Sequence, residues 1–270
     1  MLIESYPGTE RMTDGNDLLP FHCACAENTR ATVEYLYKLY PDAIHHATVR
    51  GSYPIHFAII CLINRSDPES AIDIVKFLLD CDPSLVQRKF EEMESLLRYA
   101  CQQEYVDSNV EAALEIIYAI YDTHPEAIED YGMMSDIHEY HEQVQAFINS
   151  ELVYARQAKD HRLMTTPDGN GQLPLHTALQ NNATLGSIKL LVKGNPAAVQ
   201  TPDNSGLIPL HVTCQLHDSV NVIHYLVGLD ATTLDAVDRE GNTALHLACH
   251  CAKYDIIAML LEKYGAVSVS

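Results

Sequence analysis

Tryptophan is absent from the chain, and basic residues are scarce. The 17 lysines and arginines stand against 37 aspartates and glutamates, which gives a formal net charge of −20 at pH 7. A chain this acidic repels phosphate backbones and anionic lipid surfaces. The composition therefore argues against direct binding of DNA, RNA or membranes.

Long hydrophobic runs are also missing, since no stretch approaches the ~20 apolar residues of a membrane span. The N-terminal segment carries Glu4 and no apolar run, so we expect no secretory signal. Without export, the 8 cysteines are expected to be reduced thiols in a cytoplasmic or nuclear protein. The hydrophobic content of 47%, with only 12 glycines and 12 prolines, is typical of a globular chain.

Motifs of catalysis and cofactor binding are absent as well. The sequence contains no G-x-x-x-x-G-K-S/T or G-x-G-x-x-G phosphate loop and no G-x-S-x-G nucleophile turn. Three clusters offer metal ligands, at His22–Cys25, at Cys249–Cys251 and at His138 with His141. None has the Cys-x2-Cys pairs of structural zinc sites. We predict a non-enzyme without cofactor or metal, with a metal-dependent enzyme as a distant alternative.

The dominant feature of the sequence is an internal repeat. The segments "DGNGQLPLH", "DNSGLIPLH" and "DREGNTALH" recur with a period of 35 residues and begin at Asp168, Asp203 and Asp238. The histidine position of this motif recurs near the N-terminus at His22 and His56, 34 residues apart. In the centre, Arg98 stands at the histidine position of "ESLLRYACQQ", and a degenerate copy surrounds His138. Repeats of this length indicate a stack of similar units.

Each unit is predicted to form two helices. The first is short and starts at a proline, where the missing N–H costs nothing; these prolines are Pro20, Pro54, Pro174 and Pro209. The second is amphipathic and ends before a proline; these are Pro41, Pro83, Pro125 and Pro196, with Ala231 in the same slot. Residues 141–158 are predicted to form one longer helix. Because one unit cannot bury both helices alone, we predict an all-α solenoid of about seven helix pairs with short connecting turns, irregular in the centre.

The repeated D-x-x-G-x-x-P-L-H pattern, followed by a helix with paired leucines, resembles the ankyrin repeat. The resemblance is good over residues 168–262, moderate over residues 14–64 and poor between them. The period of 34 to 42 residues exceeds the 33 usual in the family. The family has Thr before the proline to bond the histidine, but only Thr243 occurs at that position here. We therefore expect most of these histidines to bond to another group, such as a backbone carbonyl of the adjoining turn.

The resemblance implies a concave surface of turn tips and short helices that binds another protein. By position in the repeat, the candidate binding residues are Asn170, Gln172, Gln180, Asn181, Asn204, Ser205, Leu207, Gln215, Leu216, Arg239, Glu240, Asn242, His250 and Cys251. The predicted function is a protein-binding scaffold or adaptor that is itself a monomer. The alternative is a substrate-recruiting or regulatory module of a larger assembly, such as a ubiquitin-ligase receptor.

The periodic histidines and cysteines are predicted to be structural. Neighbouring histidines in stacked units lie about 10 Å apart, too far to share a metal ion. Cys25, Cys101, Cys214 and Cys249 each follow the histidine position by three residues, where Ile59 and Leu179 occur in other units. A slot that accepts Cys, Ile or Leu is typical of a small apolar core position.

The centre of the chain is strongly acidic, with a net charge of −13 between Glu91 and Glu142. The segment is either a solvated face or a docking surface for a basic partner. Six tyrosines within it would favour the second reading wherever they are exposed: Tyr99, Tyr105, Tyr118, Tyr121, Tyr131 and Tyr140. Exposed rings beside carboxylates would attract Lys and Arg side chains.

We predict a single repeat domain over residues 1–270. It comprises ankyrin-like repeats at 14–64, divergent acidic helical repeats at 65–165 and well-matched repeats at 166–270. The last helix contains Ala258, Met259 and Leu260, which lack the polar character of a terminal capping unit. We therefore expect either that another element covers this end or that the array is longer.

Overall fold

The computed structural model describes residues 8–64, 67–88, 95–128, 140–216 and 219–267. Within these ranges the regular structure is α-helix and short 3-10 helix, with no β-strand. The α-helices are α1 Pro20–Glu27, α2 Arg30–Leu39, α3 Pro54–Ile60, α4 Pro68–Cys81, α5 Leu96–Cys101, α6 Val110–Thr123, α7 Glu142–Lys159, α8 His161–Thr165, α9 Pro174–Gln180, α10 Leu185–Gly194, α11 Pro209–Leu216, α12 Val220–Leu229, α13 Ala244–His250 and α14 Tyr254–Val267. The predicted all-α fold class is confirmed.

The chain divides into two compact units, Met1–Ser150 and Glu151–Ser270, and the boundary falls within α7. Each unit contains three described helix pairs. The degenerate copy predicted around His138 lies outside the described residues, so the count of about seven pairs stays a prediction. The prediction of a single repeat domain over the whole chain also stays a prediction.

The short helices begin where the sequence places proline. Proline is the first residue of α1, α3, α9 and α11, and the residue before α1, Leu19, is extended with φ −78° and ψ 156°. A proline restricts the preceding residue to extended backbone, and its own fixed φ suits the first helical turn. The helix α13 begins at Ala244 without proline, after Thr243 in the same extended conformation.

The second helix of each pair buries an apolar face and ends shortly before the recurring proline position. Ile188, Leu191 and Val192 of α10 are buried, and so are the equivalent residues of α12. A 3-10 turn then starts at the slot residue, which is Pro41, Pro83, Pro196 or Ala231. Proline cannot continue the preceding helix, so the chain turns there as predicted.

In the first unit the helices form two rows. The short helices α1, α3 and α5 pack in one row, and α2, α4 and α6 pack in the other. Phe21, Ile59 and Leu97 of the short helices and Leu78 and Ile117 of the longer ones are buried between these elements. This arrangement is a helix-pair solenoid, in which each pair buries its apolar surface against its neighbours.

The second unit repeats this architecture. The helices α9, α11 and α13 form the row of short helices, and α10, α12 and α14 form the other row. One core cluster contains Leu175 and Leu191 together with Met164 of α8. The next cluster along the stack contains Leu210 and Leu260. The predicted solenoid is therefore present in the part of the sequence where the repeat is clearest.

Helix α7 confirms the prediction of a longer helix at residues 141–158. Its apolar positions Val144, Ile148, Leu152 and Ala155 are all buried, as the spacing of three to four residues predicts. In the second unit, the buried Glu151 of α7 accepts hydrogen bonds from the Thr184 hydroxyl, at 2.7 Å, and from the Ser187 hydroxyl. These bonds tie α7 to the first turn of α10.

The cysteine slot is buried in three of four cases. Cys25, Cys101 and Cys214 are buried, whereas Cys249 is exposed, so the prediction of a core position is wrong for Cys249. The face of α11 that carries Cys214 is covered by α13, but none of the described helices covers the same face of α13. His246, on the same helix, is exposed for the same reason, whereas His176 and His211 are fully buried.

Candidate functional site

In the second unit, each turn that precedes α9, α11 or α13 is braced by the side chain of its first residue. The Oδ1 atom of Asp203 accepts from the backbone N–H of Ser205 at 2.8 Å and of Leu207 at 2.9 Å. Asp168 and Asp238 make the same pair of bonds two and four residues on, at 2.8 to 2.9 Å. Short Asp side chains stabilise turns in this way. The bracing leaves the residues at the tip free to face solvent.

Neighbouring turn tips are joined through the backbone. The N–H of Asn204 donates to the carbonyl of Asn170 at 2.9 Å, and the N–H of Arg239 donates to the carbonyl of Ser205 at 3.2 Å. Gly206 lies beside this join with φ +80°, and a Cβ atom there would come within 2.9 Å of the Arg239 nitrogen. Glycine is therefore required both for the positive φ and for the close approach. The result is a continuous row of tips on one side of the second unit.

In the second unit, two repeat histidines, His176 and His211, bond both to the residue before their own helix and to the turn of the next unit. The Nδ1 atom of His176 accepts from the Leu173 N–H at 3.2 Å, and its Nε2 atom lies 3.1 Å from the Leu207 carbonyl. These partners assign the proton to Nε2, which leaves the ring neutral. His211 makes the equivalent bonds, with Nε2 3.0 Å from the Ala236 carbonyl. The expected carbonyl of the adjoining turn is thus the partner of both rings, and the predicted structural role is confirmed for His176 and His211.

Burial keeps these rings neutral. Desolvation lowers the pKa of His176 and His211 below the ordinary histidine value, although the bonds to the Leu207 and Ala236 carbonyls act in the opposite direction. Desolvation likewise raises the pKa of Cys214 to about 12. A buried neutral imidazole and an un-ionised thiol are packing groups rather than reactive groups.

The tips of the turns and the ends of the short helices enclose a groove in the second unit. Its volume is about 620 Å³. The lining residues are Asn204, Ser205, Leu207, Gln215, Asp238, Arg239, Glu240, Asn242, Leu247, His250 and Cys251. We call this the second-unit groove. It combines an apolar floor, formed by Leu207 and Leu247, with polar side chains at its edges, which is the usual composition of a recognition surface.

Nine of the fourteen predicted binding residues line this groove, and all fourteen are exposed or half-buried. The other five lie outside the lining: Asn170, Gln172, Gln180, Asn181 and Leu216. Sequence reasoning missed two lining residues, Asp238 and Leu247. Asp238 both braces its turn and lines the groove. Leu247 directly follows the histidine position, where Thr177 and Val212 show that the residue type varies between units.

The charges in the second-unit groove are mixed, with an acidic excess. Asp238 and Glu240 carry negative charge, and Arg239 carries positive charge. Desolvation acts to raise the pKa of Asp238, but the backbone and side-chain N–H groups of Asn242 outweigh it and hold that pKa below its usual range. Asp238 therefore stays a carboxylate at neutral and mildly acidic pH. A segment that enters the groove meets fixed negative charge beside an apolar floor.

Within the described ranges, no three His, Cys, Asp or Glu side chains converge as metal ligands. In the first cluster singled out from the sequence, both ring nitrogens of His22 lie within hydrogen-bonding distance of backbone groups, the Leu19 N–H and the His46 carbonyl. Cys249 and Cys251 of the second cluster are exposed. In the third cluster, His138 lies outside the described residues.

The tyrosines of the acidic segment are mostly core residues. Tyr99, Tyr105, Tyr121 and Tyr140 are buried, and Tyr118 on α6 is 38% exposed. Tyr131 lies outside the described residues. Among the described tyrosines of this segment, Tyr118 alone is therefore exposed. The second-unit groove is the better-defined candidate for binding.

Comparison with known families agrees with this geometry. Residues 175–269 match the family model of ankyrin repeats, in three copies. This part of the chain is an ankyrin-repeat array. The second-unit groove lies on the turn-tip and short-helix side of the array. Ankyrin repeats generally bind other proteins, and they are typically not enzymes. A search of curated proteins returns no match to this chain.

None of the described helices is both long enough and apolar enough to cross a membrane.

Proposed function

We propose that the chain is a protein-binding scaffold or adaptor, and that the second-unit groove holds its partner. The observation that supports this most is the convergence of nine repeat-variable side chains on one groove of about 620 Å³. The turns that carry them are braced by aspartates and joined tip to tip, so the groove is formed before a partner arrives. A preformed surface loses little conformational entropy on binding, which favours affinity.

The partner of this groove is a protein segment with an apolar side chain flanked by Lys or Arg. Leu207 and Leu247 form an apolar floor on which the apolar side chain of the segment packs. Asp238 and Glu240 carry negative charge that attracts the flanking Lys or Arg. Gln215, Asn242 and Ser205 offer neutral donors and acceptors at the edges. The chain acts as a monomer in this proposal, and it carries out no reaction on the bound segment.

Site-specific photo-crosslinking tests the proposal. A photoreactive amino acid placed at Gln215 or His250 in the full chain is expected to crosslink to the same partner polypeptide. The same amino acid at His224, an exposed position on α12, is the control and is expected to give no such product. Equal crosslinking from all three positions would contradict the groove as the binding surface.

Affinity for the crosslinked partner then tests the chemistry. His250→Ala and Gln215→Ala are each expected to weaken binding by about 1–2 kcal/mol, because both remove contacts at the groove edge. Because the partner is proposed to be basic, its Kd is expected to rise with salt, as screening weakens the attraction to Asp238 and Glu240. A salt-independent Kd would be compatible with the second-unit groove as the binding site but would contradict the proposal that the partner is basic.

The module of a larger assembly remains the second functional hypothesis. The two hypotheses predict different proteins in the captured complex. A module of a larger assembly would be captured together with enzymatic subunits, such as those of a ubiquitin ligase. Mass spectrometry of the photo-crosslinked complex distinguishes the two hypotheses.

A further inference from the structure

The first unit contains a groove at the same repeat positions as the second-unit groove. Its volume is about 580 Å³, and it is lined by Asn16, Leu18, Thr48, Val49, Arg50, Ser52, His56, Phe57, Ile60, Tyr99 and Gln103. We call this the first-unit groove. Counted from the repeat histidine, Val49, Arg50 and Ser52 hold the positions that Arg239, Glu240 and Asn242 hold in the other groove. Phe57 and Ile60 likewise correspond to Leu247 and His250.

The backbone around the first-unit groove has the geometry of the ankyrin array, although the family model matches residues 175–269 only. The Val49 N–H donates to the Asn16 carbonyl at 3.2 Å, the same tip-to-tip bond that joins Arg239 to Ser205. Gly51 has φ +81°, close to Gly206 and Gly241, and Asp17 takes the equivalent place at φ +64°. The first-unit groove is therefore a built repeat surface.

The chemistry of this groove differs from that of its counterpart. Val49 is 77% exposed and Ile60 is 44% exposed, while Leu18 and Phe57 are half-buried. The Tyr99 ring forms an edge contact with His56, at 5.0 Å between centroids, and Phe57 makes a similar contact with His22, at 5.2 Å. These contacts hold the aromatic rings in place, so the groove offers a fixed apolar surface.

The charge at the rim of the first-unit groove is opposite in sign to the charge at the second-unit groove. Arg50 is exposed at the position of Glu240, and no carboxylate is among the residues that line the groove. In the adjacent turn, Asp14 accepts from the N–H groups of Asn16 and Leu18, and the Asp17 carboxylate lies 3.4 Å from His46. Arg50 makes no ion pair within the described part of the chain. An exposed cation beside an apolar surface suits a carboxylate of a partner.

We propose that the first-unit groove binds an extended protein segment in which an aliphatic or aromatic side chain is close to an Asp or Glu carboxylate. The apolar side chain packs on Phe57, Ile60 and Val49, and the carboxylate pairs with Arg50. This inference rests on the proposed protein-binding function and adds a second site to it. The two grooves then select segments of opposite charge, so one chain holds two different partners or two parts of one partner.

Subtractive selection from a display library of random linear peptides tests this inference on the full chain. Peptides are selected on the wild type and depleted on Arg50→Glu. The enriched peptides are expected to combine an apolar residue with Asp or Glu. Fluorescence anisotropy is expected to show binding about tenfold weaker to Arg50→Glu and to Ile60→Gln, because each variant removes one of the two contacts. Replacing the peptide Asp by Asn is expected to weaken binding to the wild type but not to Arg50→Glu.

Matched controls separate this inference from the proposed function. Lys38→Glu makes the same charge reversal at an exposed position of α2, and it is expected to bind the enriched peptides like the wild type. His250→Ala in the other groove should also leave their affinity unchanged. A parallel selection without the depletion step, if it yields only basic or purely polar peptides whose binding is lost in His250→Ala, would support the proposed function and overturn this inference. If no selected peptide loses affinity in either Arg50→Glu or His250→Ala, the result contradicts both this inference and the proposed function.

Discussion

At the scale of single residues, the repeat assigns nearby side chains to opposite roles. His176 is fully buried and bonded at both ring nitrogens, while Gln180, four residues later, is exposed. The periodicity of the sequence was enough to separate these roles, because a residue that recurs in most units is expected to brace its unit. The variable positions beside it are the ones that reach the surface. Leu247 shows where periodicity was not sufficient. Its place in the groove depends on the direction of its side chain, which the repeat pattern did not reveal.

Two turn glycines provide a matched test of residue-scale packing. Gly206 and Gly241 both have positive φ, but a Cβ atom at Gly206 would meet the Arg239 backbone, whereas none would be met within 4 Å at Gly241. Gly241→Ala is expected to lower the free energy of unfolding by about 1 kcal/mol from backbone strain alone. Gly206→Ala is expected to lower it by about 2–4 kcal/mol, since overpacking adds to the strain.

Urea unfolding followed by circular dichroism measures both variants. Equal losses in the two variants would show that the tips can separate without cost and would contradict the close tip-to-tip packing.

At the scale of helices, the sequence predicted the elements well because their boundaries follow from local chemistry. Proline at the start of a short helix and proline after a long helix act within a few residues, whatever the tertiary structure. Helix α7 was also predicted from its apolar spacing. The bond between Glu151 of α7 and the hydroxyls of Thr184 and Ser187 was not predicted, because these residues are more than 30 positions apart.

The contribution of this contact can be measured in α7. Glu151→Ala is expected to lower the free energy of unfolding by about 1–3 kcal/mol, since it removes an acceptor from two hydroxyls at a buried site. Glu142→Ala, at an exposed position of the same helix, is expected to change it by less than about 0.5 kcal/mol.

Chemical denaturation of the two α7 variants beside the wild type provides the comparison. If Glu151→Ala is as stable as Glu142→Ala, the carboxylate–hydroxyl contact does not hold α7 to α10.

At the scale of the whole molecule, the repeat histidines couple stability to pH. Desolvation lowers the pKa of His22 and of His56 to about 4, and it also lowers the pKa of His176 and His211. The unfolded chain therefore binds more protons than the folded chain between pH 6.5 and pH 4. The stability contributed by neutral histidines is fully present above pH 6.5 and is lost as the pH falls.

The expected loss for His22 and for His56 is about 2 kcal/mol each between pH 7 and pH 5. Urea titrations at the two pH values test this in the wild type, in His22→Gln and in His224→Gln, an exposed control. His22→Gln is expected to be less stable at pH 7 but to lose about 2 kcal/mol less on acidification than the wild type. A pH dependence that is identical in all three proteins would rule out buried neutral histidines as its cause.

The sequence by itself determined the class of fold, the helix pairs and the structural role of the histidines. All three depend on local chemistry that recurs from unit to unit, so periodicity reveals them. Only the tertiary structure decided that the candidate side chains of the second unit meet in one groove and that Cys249 is exposed. It also brought Arg50, Phe57 and Ile60 together in a groove of opposite charge. These facts depend on which helix covers which face, and stacking brings together residues that are distant in the chain.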